Sequence, residues 1–329
     1  ALVGLVLAVA LIIIFEWIDD RASSPEEIQE LLGLETLVIL PRLPRKHYAK
    51  PIEELPALAE GCRRLCASLN VAQRTNPFKL VLVTSALAGE GKSSVASDLA
   101  TFLAVAGRRV LLVDANLRNP ALDTHFNLQT PEGLANGLVV SWPEIEQHLN
   151  GQPTSIPNLH VLTAGVLDLR VLTAGVLANS ATDLLQSPWA DQLFEHFKKS
   201  PFDYVIFDTP ALLAAADAQT LASYAHTALL VVDASKTPRK VLSQTKRMLH
   251  RLHIRALGIV LNKSLWSSLL VNGATGQYSM RTRTHSSSSI LLPGSPLPDA
   301  VKESMNGSGD GDPNMTVTLP HRRNPEGEH

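Results

Sequence analysis

The segment Ser85-Ala86-Leu87-Ala88-Gly89-Glu90-Gly91-Lys92-Ser93 follows an apolar run at 80–84 and precedes a helical pattern at 94–105. A glycine-rich turn between a strand and a helix is a cradle for phosphate. Gly89 and Gly91 let the backbone curl so that its N–H groups face a β-phosphate, and the positive end of the helix adds to the attraction. Lys92 is then placed to span the β- and γ-phosphates, and the Ser93 hydroxyl to ligate Mg²⁺. Glu90 and Ser94 complete the stretch expected to contact a nucleotide. The strict pattern asks for glycine at position 86, where this chain has alanine.

Two acids fit beside such a loop. Asp208 ends the apolar run 204–207 within FDYVIFDTP, and Asp114 ends RVLLV in the same way. A carboxylate at the C-terminal end of a strand next to a phosphate loop can hold Mg²⁺ or its water. Either aspartate alone could cap the turn that follows it. Both together, with the loop, read as an acidic cleft for a metal, and Lys92, Asp114 and Asp208 are the expected catalytic set. Asp217 reads as a cap for the next helix.

The elements that must position these groups alternate. Strand-like apolar runs occur at 80–84, 109–113, 204–207, 228–232 and 257–261, with helical patterns at 52–71, 94–105, 183–197 and 238–252. Runs of Val, Leu and Ile without polar alternation suit a parallel sheet buried on both faces. This order predicts right-handed βαβ units and an α/β fold, a doubly wound, mostly parallel sheet with helices on both sides. VLTAGVL occurs at 161–167 and again at 171–177. One extra copy makes no solenoid, so it reads as a tandem duplication lengthening a loop, with only one copy serving as a strand.

The chain has 329 residues, 45% apolar and 18% charged, with a net charge of −2. A sizeable core can form, and no general basic footprint points to nucleic acid. Cys62 and Cys66 lie four apart, with no second Cys/His pair to complete a metal set, and read as reduced thiols. The uncharged run 1–15 is short for a span of about 20 residues. It predicts the later part of a transmembrane helix (1–18) whose start lies upstream. Trp17 suits the interface, and Arg21, Arg42, Arg45, Lys46 and Lys50 put the following residues on the cytoplasmic side. Residues 19–56 read as a juxtamembrane segment and linker: a helix opened by Ser24-Pro25-Glu26-Glu27 and stopped at Gly33, a short strand at 36–40, then a proline-rich stretch. Residues 57–265 form the expected nucleotide domain, and 266–329 read as a low-complexity, disordered tail.

The set GEGKSS, VLLVDANLRNP, FDYVIFDTPALLAAADA and LGIVLNK resembles the cytoplasmic domain of the bacterial tyrosine kinases of capsule and exopolysaccharide synthesis. IFEWIDDRASSPEEIQELLGLETLVILP resembles the end of the membrane-anchored chain-length determinant domain that precedes this kinase in fused members. The resemblance spans residues 1 to about 265. It implies a P-loop NTPase fold, with Lys92 and Ser93 in Walker A, Asp114 and Asn116 in a second, kinase-type motif that binds Mg²⁺, and Asp208 in Walker B. Asn262, after the last strand, matches the position that contacts adenine. The implied activity is ATP- and Mg²⁺-dependent autophosphorylation on tyrosine. The implied partners are the polysaccharide polymerase and export machinery, membrane lipid and a homo-oligomeric ring, at the plasma membrane of a bacterium.

This chain departs from that pattern in three places. Asn116 replaces the second acid of an Asp-x-Asp pair, removing one charge from the metal site. The ring-forming Glu-x2-Arg-x2-Arg reads Glu60, Arg63, Cys66, which loses one bidentate contact. The tail offers only Tyr278, and the other tyrosines are Tyr48, Tyr204 and Tyr224. A second reading is therefore an ATP-binding co-polymerase component with weak or lost kinase chemistry. A third, a partition or septum-positioning ATPase, expects a lysine five residues before Lys92, where Leu87 stands.

Overall fold

The computed structural model describes residues 21–22, 24–43, 55–128, 133–138, 148–165 and 181–264. The expected span at 1–18, most of the linker, the second VLTAGVL copy and the tail lie outside them. Among the described residues no helix is long and apolar enough to cross a membrane.

The first helix, α1 (Pro25–Leu32), begins as its sequence dictates. Ser24 accepts a hydrogen bond from the Glu27 N–H at 3.1 Å, proline occupies the first turn, and Glu26 and Glu27 face the positive helix end. Gly33 closes it in the left-handed conformation, donating to the Gln29 carbonyl at 2.7 Å. The strand β1 (Thr36–Pro41) follows, then α2 (Pro56–Thr75), β2 (Leu80–Ser85), α3 (Lys92–Val105) and β3 (Val110–Asp114). Short helices α4 (Leu122–Phe126) and α5 (Leu134–Gly137) lead to β4 (Gln152–Pro153) and β5 (Leu159–Leu162). The chain continues through α6 (Ala181–Leu185), α7 (Pro188–Lys199), β6 (Tyr204–Asp208), α8 (Ala216–Tyr224), β7 (Thr227–Asp233), α9 (Arg239–Arg251) and β8 (Ala256–Ser264).

The eight strands run in the order β1-β8-β7-β2-β6-β3-β5-β4, parallel throughout except for β4 against β5. Every residue of β2, β3, β6 and β7 is buried, which explains their unbroken apolar runs. One face carries α2 and α3 over Val81, Val83, Val110, Leu112 and Ile206. On the other, Leu80, Leu82, Val205 and Phe207 meet α7, while Leu230, Val232, Ile259 and Leu261 meet α1 and α9. Phe194 and Phe197 each sit 5.6 Å from the Phe207 ring, and Tyr224 stacks on Phe194 at 4.0 Å. The doubly wound α/β expectation holds.

Several boundaries differ from those read in the sequence. The helical pattern at 183–197 is broken into α6 and α7 at Ser187, because Pro188 cannot continue a helix begun before it. The first VLTAGVL copy supplies the end of β5. The segment at 36–41, read as part of a juxtamembrane unit, is an edge strand of the same sheet: β1 pairs in parallel with β8, and α1 packs on α9. Val38 and Leu40 face α2, which comes so close that a Cβ on Gly61 would lie 2.6 Å from Leu40 Cδ2. Cys62 and Cys66 are buried on this same face of α2. Burial pushes the Cys66 thiol up to about 12 and raises the Cys62 thiol as well, so both are inert.

Leu40 is 1% exposed. Leu40→Ala should therefore lower the unfolding free energy by about 3 kcal/mol in a single transition, measured by denaturant titration with circular dichroism. A loss below about 0.5 kcal/mol, the usual effect at an uncoupled surface site, would mean that β1 is not part of the cooperative unit.

Candidate functional site

The strand order places β2 at the centre, with β6 on one side and β7 on the other. The loop after β2 therefore opens between two strand ends, the crevice where α/β sheets bind ligands. Gly89 and Gly91 have φ of 78° and 97°, the left-handed values that glycine alone adopts freely. Ala86 is fully buried and keeps a negative φ, so a methyl group is accommodated where the strict pattern asks for glycine. Lys92 opens α3 beside the loop.

Asp114 and Asp208 are register partners on adjacent strands, both with no exposed surface. Parallel partners project to the same face, so the two carboxylates lie side by side. Their hydrogen bonding differs. Asp114 accepts from the N–H groups of Asn116 (3.1 Å), Ala121 (2.9 Å) and Leu122 (3.0 Å), shaping the loop into α4. The turn-capping role considered for it is thus real, and it leaves the carboxylate beside Asp208. Burial raises the Asp114 carboxyl, and these three donors offset part of that.

Asp208 has no partner of hydrogen-bonding geometry on either oxygen. Burial pushes it up to about 7. The neighbouring Ser93 hydroxyl works against that, the Asp114 charge adds to it, and the Lys92 ammonium again opposes it. Lys92 is 8% exposed and makes no ion pair among the described residues. Burial lowers its pKa, against the pull of Asp208 and Glu90. A buried carboxylate with two orphaned oxygens, a serine hydroxyl and an unpaired lysine fit a cation and a polyphosphate, which would supply the missing partners.

Glu90 is placed differently from expectation. Its carboxylate turns inward, 3% exposed, and accepts from Leu87 N–H (2.7 Å), Asp233 N–H (3.2 Å) and the Thr237 hydroxyl. This carboxylate braces the loop and is not free for a ligand. Asn262 lies within β8, not after it, and its Nδ2 donates to the Glu90 carbonyl at 2.9 Å. A Cβ on Gly91 would sit 2.1 Å from that nitrogen, so Gly91 is required by packing as well as by φ. Lys263, next in β8, bonds the Gly89 carbonyl and pairs with Asp233 at 3.2 Å. Asp233, Thr237 and Lys263 were missed in the sequence. Asp233 had the same strand-end signature as Asp208, but the other two become visible only through register.

Asn116 sits in the loop after β3, where its Nδ2 donates to the Asn119 carbonyl at 2.8 Å. Ser94 is exposed on α3. Asp217 does not cap α8: it lies inside that helix, 2% exposed at the side chain, and pairs with Arg118 at 2.5 Å, with the Thr182 hydroxyl also donating to it. Burial would raise its carboxyl, yet the Arg118 and Thr182 hydrogen bonds outweigh that and hold it low. This pair fastens the loop after Asp114 to α8. On α2, Glu60 pairs with Arg63 and Arg64, each at 3.1 Å on the exposed face, while Cys66 is buried.

The raised Asp208 carboxyl gives a pH signature. Its folded pKa of about 7 exceeds the ordinary 3.8, so the folded state holds this proton more tightly. The ligand-free protein should lose stability as pH climbs from about 4 to about 7. Asp208→Asn should raise stability at pH 8 by about 4 kcal/mol relative to wild type and by little at pH 4. Thermal unfolding at the two pH values measures this, and an equal effect at both would mean that Asp208 is ionised throughout.

Residues 77–284 match the family model described as "ParA: NUBPL iron-transfer P-loop NTPase". The chain is 34% identical over 204 residues to the tyrosine-protein kinase YwqD of Bacillus subtilis, covering 62% of this chain and 80% of that protein. It is 27% identical over 274 residues to the putative tyrosine-protein kinase EpsB of Ralstonia nicotianae, but there it spans only 34% of the relative's length. The kinase domain of the Escherichia coli tyrosine kinase ETK superposes with a TM-score of 0.61 at 23% identity, over 73% of this chain and 94% of that one, a likeness of fold. The phosphate loop, the strand-end acids and these matches agree: the chain belongs to the bacterial tyrosine-protein kinase family, on the ParA-type P-loop NTPase fold.

Proposed function

We propose that this chain is the ATP-binding part of a membrane-anchored protein-tyrosine autokinase that regulates the length and export of a capsular or exopolysaccharide polymer. Relatives named as tyrosine kinases and as a succinoglycan biosynthesis transport protein support the pathway class. The observation that carries the chemistry is Asp208, a buried carboxylate with two unpartnered oxygens beside an unpaired Lys92.

In this reading Lys92 and the loop N–H groups bind the phosphates of ATP, with Gly89, Gly91, Ser93 and Ser94 lining them. Ser93, Asp208 and Asp114 hold Mg²⁺, with the Asn116 amide near its edge, and Asn262 fixes the loop close to the base. Mg²⁺, when bound, supplies positive charge to the β- and γ-oxygens. Asp114 orients the loop through which a tyrosine hydroxyl approaches. Glu90 keeps the cradle from collapsing, so the donors need little reorganisation on binding. The ATP-binding domain faces the cytoplasm of a bacterium, and the uncharged run 1–15 anchors it in the plasma membrane.

A second reading, an ATP-binding co-polymerase component with weak kinase chemistry, has support of its own. Asn116 removes a charge from the site and commits its amide to Asn119. The described tyrosines are also occupied. Tyr204 donates to Gln73 Oε1 at 2.6 Å, and Tyr224 donates to Asp191 Oδ1 at 2.8 Å. Burial lifts both hydroxyls to about 12, which disfavours their deprotonation.

Incubation with labelled ATP and Mg²⁺, followed by a phosphotyrosine blot, separates the two. The autokinase reading expects a signal that Lys92→Met abolishes. A wild-type protein that binds ATP and gives no phosphotyrosine leaves only the second reading. Within the site, Asp208→Asn should reduce ATP turnover on the order of 100-fold, and Asn116→Ala by less than about tenfold. Equal losses would show that the two ligands have been ranked wrongly.

A further inference from the structure

The surface helices of this domain treat charge in different ways. On α2, Glu60 is shared by Arg63 and Arg64, and on α7, Glu195 pairs with Lys198 at 2.6 Å. The helix α9 contains no acid, and none occurs anywhere between Asp233 and Asp299. Its two faces are unlike. Leu242, Thr245 and Leu249 are buried, and Arg239, beside them, pairs with Glu27 of α1. Lys240, Gln244, Arg247 and Arg251 are exposed and recur at i, i+4, i+7 and i+11, which makes one outward stripe. Among the described residues, Lys240, Arg247 and Arg251 have no acidic partner, although α1 carries Glu26 and Glu30 close by. Lys236 and His250 extend the patch.

The chain itself says what lies nearby. Arg21 bridges to Pro238, and the Ala22 N–H reaches the Thr237 carbonyl, at the start of α9. From Arg21 back to Phe15 is a reach of at most about 20 Å, and α9 is itself about 20 Å long. A lipid surface at Phe15 is thus within tether range of the whole stripe, and the tether raises its local concentration. Nucleic acid is a poorer fit, because the net charge of the chain is −2.

We infer that the outward stripe of α9, with Lys236, docks on anionic lipid and holds the domain against the membrane. The inference rests on the reading that residues 1–15 lie in the bilayer. Each Lys or Arg near an anionic surface adds attraction that salt weakens.

The full chain is reconstituted into nanodiscs of phosphatidylcholine alone and of phosphatidylcholine with phosphatidylglycerol. Lysines are acetylated with a water-soluble reagent and read by mass spectrometry, with exposed Lys199 as the internal reference. Lys236 and Lys240 should react on the order of tenfold more slowly in the anionic discs. The slowing should vanish at about 1 M salt, where the screening length is about 3 Å. Arg247→Gln/Arg251→Gln, which keeps both reporter lysines, should weaken docking about 30-fold and restore their reactivity. Equal rates in the two discs, an unchanged double variant, or an equal slowing of Lys199 would each overturn the inference. Failure of the anchoring reading looks different: the protein would wash off neutral discs altogether.

Discussion

Two carboxylates held side by side at the ends of neighbouring parallel strands, away from water, set the terms for the site. Ionising both in that setting is costly, and each is handled in its own way. Asp114 is given three backbone donors and becomes the organiser of its loop. Asp208 is given none, and burial lifts its carboxyl far above the ordinary range. The asymmetry makes one acid a fixed part of the scaffold and the other an open valence. The pair exists only because β3 and β6 are adjacent and in register, which in turn requires the doubly wound order of the sheet.

The phosphate loop depends on a second set of buried polar contacts. Glu90 gathers Leu87, Asp233 and Thr237, while Asn262 and Lys263 take the carbonyls of Glu90 and Gly89. The loop is thus held from behind by the ends of β7 and β8. A buried network of this kind rigidifies only when every member is satisfied, which ties the loop's shape to the integrity of two strands distant in sequence.

Much of this was legible in the sequence. The glycine spacing, the lysine and the two strand-end acids are local signals, and the strands that carry them are long apolar runs. The alanine at position 86 breaks the written pattern but not the physics, since only Gly89 and Gly91 need positive φ. What stayed hidden was long-range. Glu90 read as a ligand-facing residue because its partners, Asp233 and Thr237, come from the far side of the domain. Asp217 read as a cap because Arg118 lies 99 positions away. The strand at 36–40 read as part of a juxtamembrane unit, outside the nucleotide domain, because its partner is β8, at the other end of the described chain. The break at Pro188 was visible and was overridden by an apolar periodicity that continues across it.

The pairing of β1 with β8 also sets a timetable for synthesis. Of the described strands, β1 leaves the ribosome first yet joins the sheet last, since Thr36 waits for Ile259 to be made. Until then its backbone groups have no sheet partner, and Val38 and Leu40 lack the neighbour that lines them up under α2. Contacts of such separation form late and slowly. The nascent protein can assemble its nucleotide crevice from β2 onward, and the N-terminal strand then closes the edge as the final step, which makes that edge the place where a stalled or crowded chain is most open to pairing with another.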